Sequence, residues 1–193
     1  MTVKELVYAA RSVRRFDENK GITPGQLREL IDLARMTPCA KNVQWLRYVP
    51  ITSENLRDKI FPTLGWAGFL TDWDGPAKGE RPAAYIVVVE DTAFGNGMPQ
   101  DSGFALQSMV LGAQEMGIAE CIIYSVNRPE LSKALALTDT QKISFVLALG
   151  YPAETVSVVD IPESGSTKYW REGQTHYVPK RKLDDVIIQP KED

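Results

Sequence analysis

Arg11-Ser12-Val13-Arg14-Arg15-Phe16 packs three guanidinium groups and a hydroxyl into five residues. Guanidinium forks match phosphate oxygens bidentately and stay charged at any relevant pH. A phosphate monoester, with about two negative charges at neutral pH, suits such a cluster. Cations at a helix end also complement the helix dipole, so the run alone fits a solvated basic face as well. A second constellation is Thr37-Pro38-Cys39-Ala40-Lys41-Asn42-Val43-Gln44-Trp45. Its small residues let the backbone approach a flat ligand, and Asn42 and Gln44 offer fixed donors and acceptors. By itself this is also an ordinary turn from helix to strand.

The whole chain narrows what these groups can serve. With 193 residues, 44% hydrophobic and 24% charged, it has the make-up of one globular domain with a real core. A net charge of −3 argues against a general nucleic-acid surface and favours a small anionic ligand at a local basic patch. The two cysteines are too few for a disulfide scaffold, and Cys121 lies in an apolar run typical of a core. One histidine, His176, leaves little room for histidine catalysis or a histidine-ligated metal. No apolar stretch reaches a membrane span and the start lacks a long apolar leader core, so a soluble, cytoplasmic chain is expected.

The elements that must position these residues read as follows. Thr2 caps a short helix to about Ala10. Thr23-Pro24-Gly25-Gln26 starts a second helix as a capping box with Pro at its first position, and Leu27, Leu30, Ile31 and Ala34 form its apolar stripe, ended by Pro38. Trp45 to Ile51 reads as a strand pushed to an edge by Pro50, and Ser53 caps a helix carrying Leu56 and Ile60. Residues 62–82, broken by Gly and Pro and holding Trp66, Phe69 and Trp73, suit a ligand-facing lid. Ala84 to Val89, Ala119 to Tyr124 and Ile143 to Leu149 are buried strands, the last stopped by Gly150-Tyr151-Pro152. Asp101 opens a long buried helix closed by Gly117, and Pro129 to Leu137 forms a short one. Residues 153–180 read as irregular, and Val186-Ile187-Ile188 as a strand-like arm that needs another sheet edge. The pattern is α+β.

In this order the motifs resemble the FMN-dependent nitroreductase family. The resemblance rests on Arg11-Ser12-Val13-Arg14-Arg15-Phe16, on Pro38-Cys39-Ala40-Lys41-Asn42-Val43-Gln44-Trp45, and on the helix from Asp101 to Gln107. Gly117-Ile118, Leu149-Gly150-Tyr151-Pro152-Ala153-Glu154 and the closing Pro179-Lys180-Arg181-Lys182-Leu183 extend it over nearly the whole chain. It implies one domain over 1–193 with a central mixed, mainly antiparallel sheet between helices. It also implies an intertwined homodimer exchanging C-terminal arms (residues 180–193).

Carried over by position, the resemblance implies that Arg11, Ser12 and Arg14 hold the FMN phosphate and ribityl chain, joined by Lys180 and Arg181, with Lys182 competing for that role. Pro38, Cys39, Ala40 and Asn42 would reach the partner subunit's flavin. Tyr124 and Ser125 would meet the isoalloxazine through backbone amides, and Trp66 and Phe69, with Trp73, would gate substrate. NADH or NADPH would reduce the flavin, and a nitroaromatic, quinone or similar electron-poor small molecule would take the electrons in a ping-pong cycle, with no metal and no catalytic side chain. The same fold also serves reductive dehalogenation and flavin breakdown, and a non-catalytic nucleotide-binding module is a further alternative. Cys39 stands in place of the customary Ser, Trp45-Leu46 in place of Pro-Trp, and Ala10 where many relatives carry another Arg.

Overall fold

The computed structural model describes residues 1–190, so the last three residues of the expected C-terminal arm lie outside the described residues. Both early helices start as their caps dictate. Helix α1 (Val3–Ala9) carries a reciprocal Thr2–Glu5 capping box. After strand β1 (Phe16–Asp17), helix α2 (Pro24–Arg35) repeats the device with Thr23 and Gln26 and buries Leu27, Leu30 and Ala34. Strand β2 (Leu46–Ile51) holds Pro50 and pairs on one side only, with β3 (Ala84–Asp91). Between them lies helix α3 (Glu54–Ile60), where Ser53 is the N-cap residue but its side chain makes no capping bond.

Helix α4 (Pro99–Glu115) begins two residues earlier than expected. Pro99 supplies the preset first helical position, which leaves Asp101 in the first turn, where its carboxylate accepts the Met98 N–H at 3.0 Å. Gly117 adopts φ +70°, so the Ile118 N–H reaches back to the Ala113 carbonyl at 2.8 Å and the chain turns into β4 (Ala119–Ile123). Helix α5 (Arg128–Ala134) is capped by Asn127.

Strand β5 (Gln141–Pro152) organises the main sheet. It does not stop at Gly150. One edge pairs antiparallel with β3; the other pairs with β4 up to Gly150 and then with β1 at Tyr151 and Pro152, so these residues stay extended. The order is β2-β3-β5, with β4 and β1 sharing the far edge, and every pair in this sheet is antiparallel.

Alternate residues of β3 feed two cores. Ala84, Ile86 and Val88 pack with Leu147 and Leu149 under α2 and α4, whereas Tyr85, Val87 and Val89 face Val146, Ala148, Ile60 and Leu131 on the side of α3 and α5. A bulge lets Val89 pair with Ile143 while Val88 pairs with Phe145, which returns Ile143 to the second core. Burial on both faces explains the continuous apolar runs in antiparallel strands.

Residues 153–180 differ most from expectation. They form β6 (Thr155–Asp160), β7 (Trp170–Glu172) and β8 (Thr175–Lys180), a second sheet with β8 in the middle, parallel to β6 and antiparallel to β7. The expected strand at Val186–Ile188 is absent: a 3₁₀ turn spans Asp184–Val186, and residues 187–190 find no sheet edge within the described residues of the single chain. Among the described residues no helix is long and apolar enough to cross a membrane.

Candidate functional site

The N-terminal cations are laid along the main sheet by backbone pairing. Ser12 bridges to Glu120 of β4, and the Val13 N–H donates to the Glu120 carbonyl at 2.9 Å. One residue on, the Arg14 N–H donates to the Glu154 carboxylate at 2.5 Å, and that carboxylate also holds Arg171 at 2.8 Å. Arg11, Ser12 and Arg14 thereby line a cavity of about 390 Å³ together with Gln107, Glu120, Tyr169, His176 and Lys180. Arg11 Nε is buried there without a hydrogen-bond partner. Arg15 turns elsewhere, to Glu80 at 3.4 Å and Gln174 at 3.1 Å. Arg181 is exposed and is not part of the cavity wall, which Lys180 joins from the end of β8.

Two buried titratable groups share this wall. Burial pushes the Glu120 carboxyl up to about 8, against the opposing pull of Arg11. Its Oε2 has no partner, so the protonated form fits this surrounding. His176 is pushed down to about 4, first by burial and then by Arg14, whose Nη1 lies 3.1 Å from Nε2.

Pro38, Cys39 and Asn42 line a separate cavity of about 440 Å³ with Gln44, Arg47, Tyr48 and Asp101. Lys41, Asn42 and Gln44 all adopt φ between 52° and 54°, left-handed backbone that costs energy for residues other than glycine. Asp101 holds this turn. Its carboxylate accepts the Ala40 N–H at 3.0 Å, the Trp45 indole at 3.0 Å and the Cys39 thiol at 3.4 Å, beside the Met98 N–H. Burial raises the Asp101 pKa, but these bonds together outweigh it and hold the carboxyl below its ordinary range. Cys39 also accepts the Gln44 N–H at 3.3 Å, so the thiol that replaces serine acts here as a latch within the turn.

Tyr124 and Ser125 follow the end of β4, both exposed. The Gly65 N–H donates to the Ser125 carbonyl at 2.8 Å, and a Cβ on Gly65 would come within 2.4 Å of Ser125 Oγ, so only glycine admits this approach. Of the aromatic residues in the 62–82 loop, Phe69 is half exposed and packs on Tyr169, with ring centroids 5.0 Å apart. Trp66 packs inside the loop on Phe61, and Trp73 lies under the Arg171 guanidinium at 4.4 Å. The loop is therefore docked on the second sheet beside the cation-lined cavity.

Tyr169, His176 and Glu120 line the first cavity and Asp101 the second, a placement that composition and spacing did not indicate. Glu154 was visible within Gly150-Tyr151-Pro152-Ala153-Glu154, but its partners Arg14 and Arg171 were not. Among the described residues no cluster of histidine, cysteine, aspartate and glutamate is placed to hold a metal ion.

The chain belongs to the nitroreductase family, whose sequence model matches residues 7–151. Protein DrgA of Synechocystis sp. is 26% identical over 180 residues, covering 80% of this chain and 86% of that protein. A Desulfovibrio desulfuricans protein described as a nitroreductase, solved in complex with FMN, shares the fold across 100% of this chain and 99% of its own, with a TM-score of 0.72 and 18% identity. A Parabacteroides distasonis protein described as an NADH dehydrogenase or NAD(P)H nitroreductase gives a TM-score of 0.64 at 22% identity over 79% of this chain and 88% of its own. The second sheet lies beyond the family match.

Proposed function

We propose that the chain is an FMN-dependent oxidoreductase, acting as a homodimer, that uses NADH or NADPH to reduce nitroaromatics, quinones or similar electron-poor acceptors. One observation carries this reading: Arg11, Ser12, Arg14 and Lys180 converge on one cavity, with a buried Arg11 Nε that lacks a partner. That donor set fits a phosphate monoester, and the FMN-bound relative supports the choice of flavin. When bound, FMN supplies the two-electron redox step.

The protein's own groups bind and orient. Arg11, Ser12, Arg14 and Lys180 would hold phosphate and ribityl oxygens, and Arg181 could join only by moving from its exposed position. The Tyr124 and Ser125 amides would face the ring system from the end of β4. Pro38, Cys39 and Asn42 line the other cavity of the single chain, with Ala40 in the same turn but outside the cavity wall, an arrangement that suits contact with the cofactor of a second subunit. Phe69 stands where it can cover a bound acceptor, whereas Trp66 would have to leave its packing to do so.

An absorption spectrum of the purified protein tests the reading. Flavin bands that bleach anaerobically with NADPH or NADH and recover with a nitroaromatic or quinone are expected. A colourless protein that cannot be reconstituted with FMN would overturn it.

A further inference from the structure

We propose that His176 and Tyr169, from the second sheet and the segment leading into it, are positioning residues that preset the Arg14 guanidinium for the cofactor phosphate and ribityl chain. The proposal rests on the FMN reading above. Arg14 Nη1 lies 3.1 Å from His176 Nε2 and 3.3 Å from the Ser12 carbonyl, and its guanidinium sits 4.9 Å from the Tyr169 ring centroid. A guanidinium can only donate, so Nε2 must accept and the imidazole proton resides on Nδ1. Nδ1 is buried and has no partner, so Arg14 alone selects this tautomer among the contacts of the ring. Burial and the neighbouring guanidinium keep the imidazole neutral, and therefore an acceptor, at every pH well above 4.

Tyr169 completes the clamp. Its ring packs at 5.0 Å on His176 and at 5.0 Å on Phe69, and its hydroxyl accepts the Phe69 N–H at 3.3 Å. The Arg14 backbone is fixed by Glu154 at the start of the same second sheet. An arginine otherwise has many rotamers to surrender on binding a ligand; here the surrender occurs on folding. Since Tyr169 and His176 lie beyond residues 7–151, this device belongs to a part of the chain outside the family match.

The test is FMN affinity, read from quenching of FMN fluorescence as apo-protein is added, with far-UV circular dichroism confirming the fold of each variant. His176→Leu should weaken binding about five- to tenfold, the upper part of the roughly two- to twelvefold expected for one freed rotamer-rich side chain. His176→Gln, whose amide oxygen can accept from Arg14, should stay within about twofold of wild type. Tyr169→Leu, at a half-buried position, should weaken binding by a similar factor and carries the test where His176→Leu does not fold.

In an Arg14→Ala background neither substitution should weaken binding further. Losses that simply add to that of Arg14→Ala, or a glutamine variant as weak as the leucine one, would overturn the positioning role while leaving the FMN reading intact. An Arg14→Ala protein that binds FMN as tightly as wild type would overturn both.

Discussion

Trp45 Nε1 donates to Asp101 Oδ2 at 3.0 Å, joining the last residue of the Pro38–Trp45 segment to the first turn of α4. The same carboxylate gathers the Ala40 N–H, the Met98 N–H and the Cys39 thiol. Left-handed backbone at Lys41, Asn42 and Gln44 is thus held from one point, the support from surrounding structure that strained backbone needs.

Asp101→Asn should test that anchor. An amide keeps one acceptor oxygen and presents an NH₂ group to donors that previously met a carboxylate. At least one buried donor is then unsatisfied, at a cost of about 1–3 kcal/mol. The expected result is a lower urea midpoint with an unchanged slope. An unchanged midpoint would show that the turn is held by other contacts.

Stability should depend on pH through two groups with opposite signs. Glu120 binds its proton more tightly in the folded chain, with a pKa of about 8 against an ordinary 4.5, so stability falls as pH rises through that interval. His176, at about 4 against an ordinary 6.5, binds its proton less tightly when folded, so stability is lost as pH falls below 6.5. The two oppose each other below 6.5, and above it Glu120 acts alone. Melting temperatures of the apo-protein should therefore decline from about pH 6.5 to 8. Glu120→Gln should abolish the decline and expose the rising limb of His176. A decline that persists in the variant would place its origin elsewhere.

Gly65→Ala should displace the segment after β4. The new Cβ would meet Ser125 Oγ at 2.4 Å and Ser125 Cβ at 3.0 Å, so the hydroxyl must rotate away and Ser125 must move back from residue 65. Overpacking of this kind costs about 1–3 kcal/mol. If the Tyr124 and Ser125 amides face the flavin, FMN affinity should drop as well. Adding Ser125→Ala removes the closer contact and should restore part of both losses. A Gly65→Ala protein with wild-type melting temperature and FMN affinity would count against this account.

Local chemistry in this chain was legible and distant pairing was not. The Thr2–Glu5 and Thr23–Gln26 boxes lie within four consecutive residues each, and both helices start where those residues dictate. The cation run was recognisable by residue type alone. By contrast, β8 carries Pro179, which removes a ladder donor and argues against a central strand, yet β8 is central over Thr175–Tyr177, and Pro179 lies past the end of β7, where only β6 pairs with it. The parallel β6–β8 pairing joins segments that a sequence window does not connect. His176 stood as a lone histidine because its partner Arg14 lies 162 positions away.

The C-terminal segment yields the last expectation. Val186, Ile187 and Ile188 are 60%, 47% and 92% exposed in the single chain, as are large parts of Val3, Tyr8, Met36 and Phe104. Apolar surface on this scale calls for a cover, and a second copy of the chain is the cover that the proposed homodimer provides. Burying one valine or isoleucine side chain contributes about 1.5–3 kcal/mol, and each subunit would bury three from this arm. Deleting residues 184–193, which spares Lys180, Arg181 and Lys182, should therefore shift the protein from dimer to monomer in sedimentation velocity at micromolar concentration. It should also release FMN, because Pro38, Cys39, Ala40 and Asn42 of one chain would no longer reach the cofactor of the other. A truncated protein that remains dimeric and yellow would refute the arm's role in the dimer. One that becomes monomeric but keeps its flavin would show that a single chain completes the site.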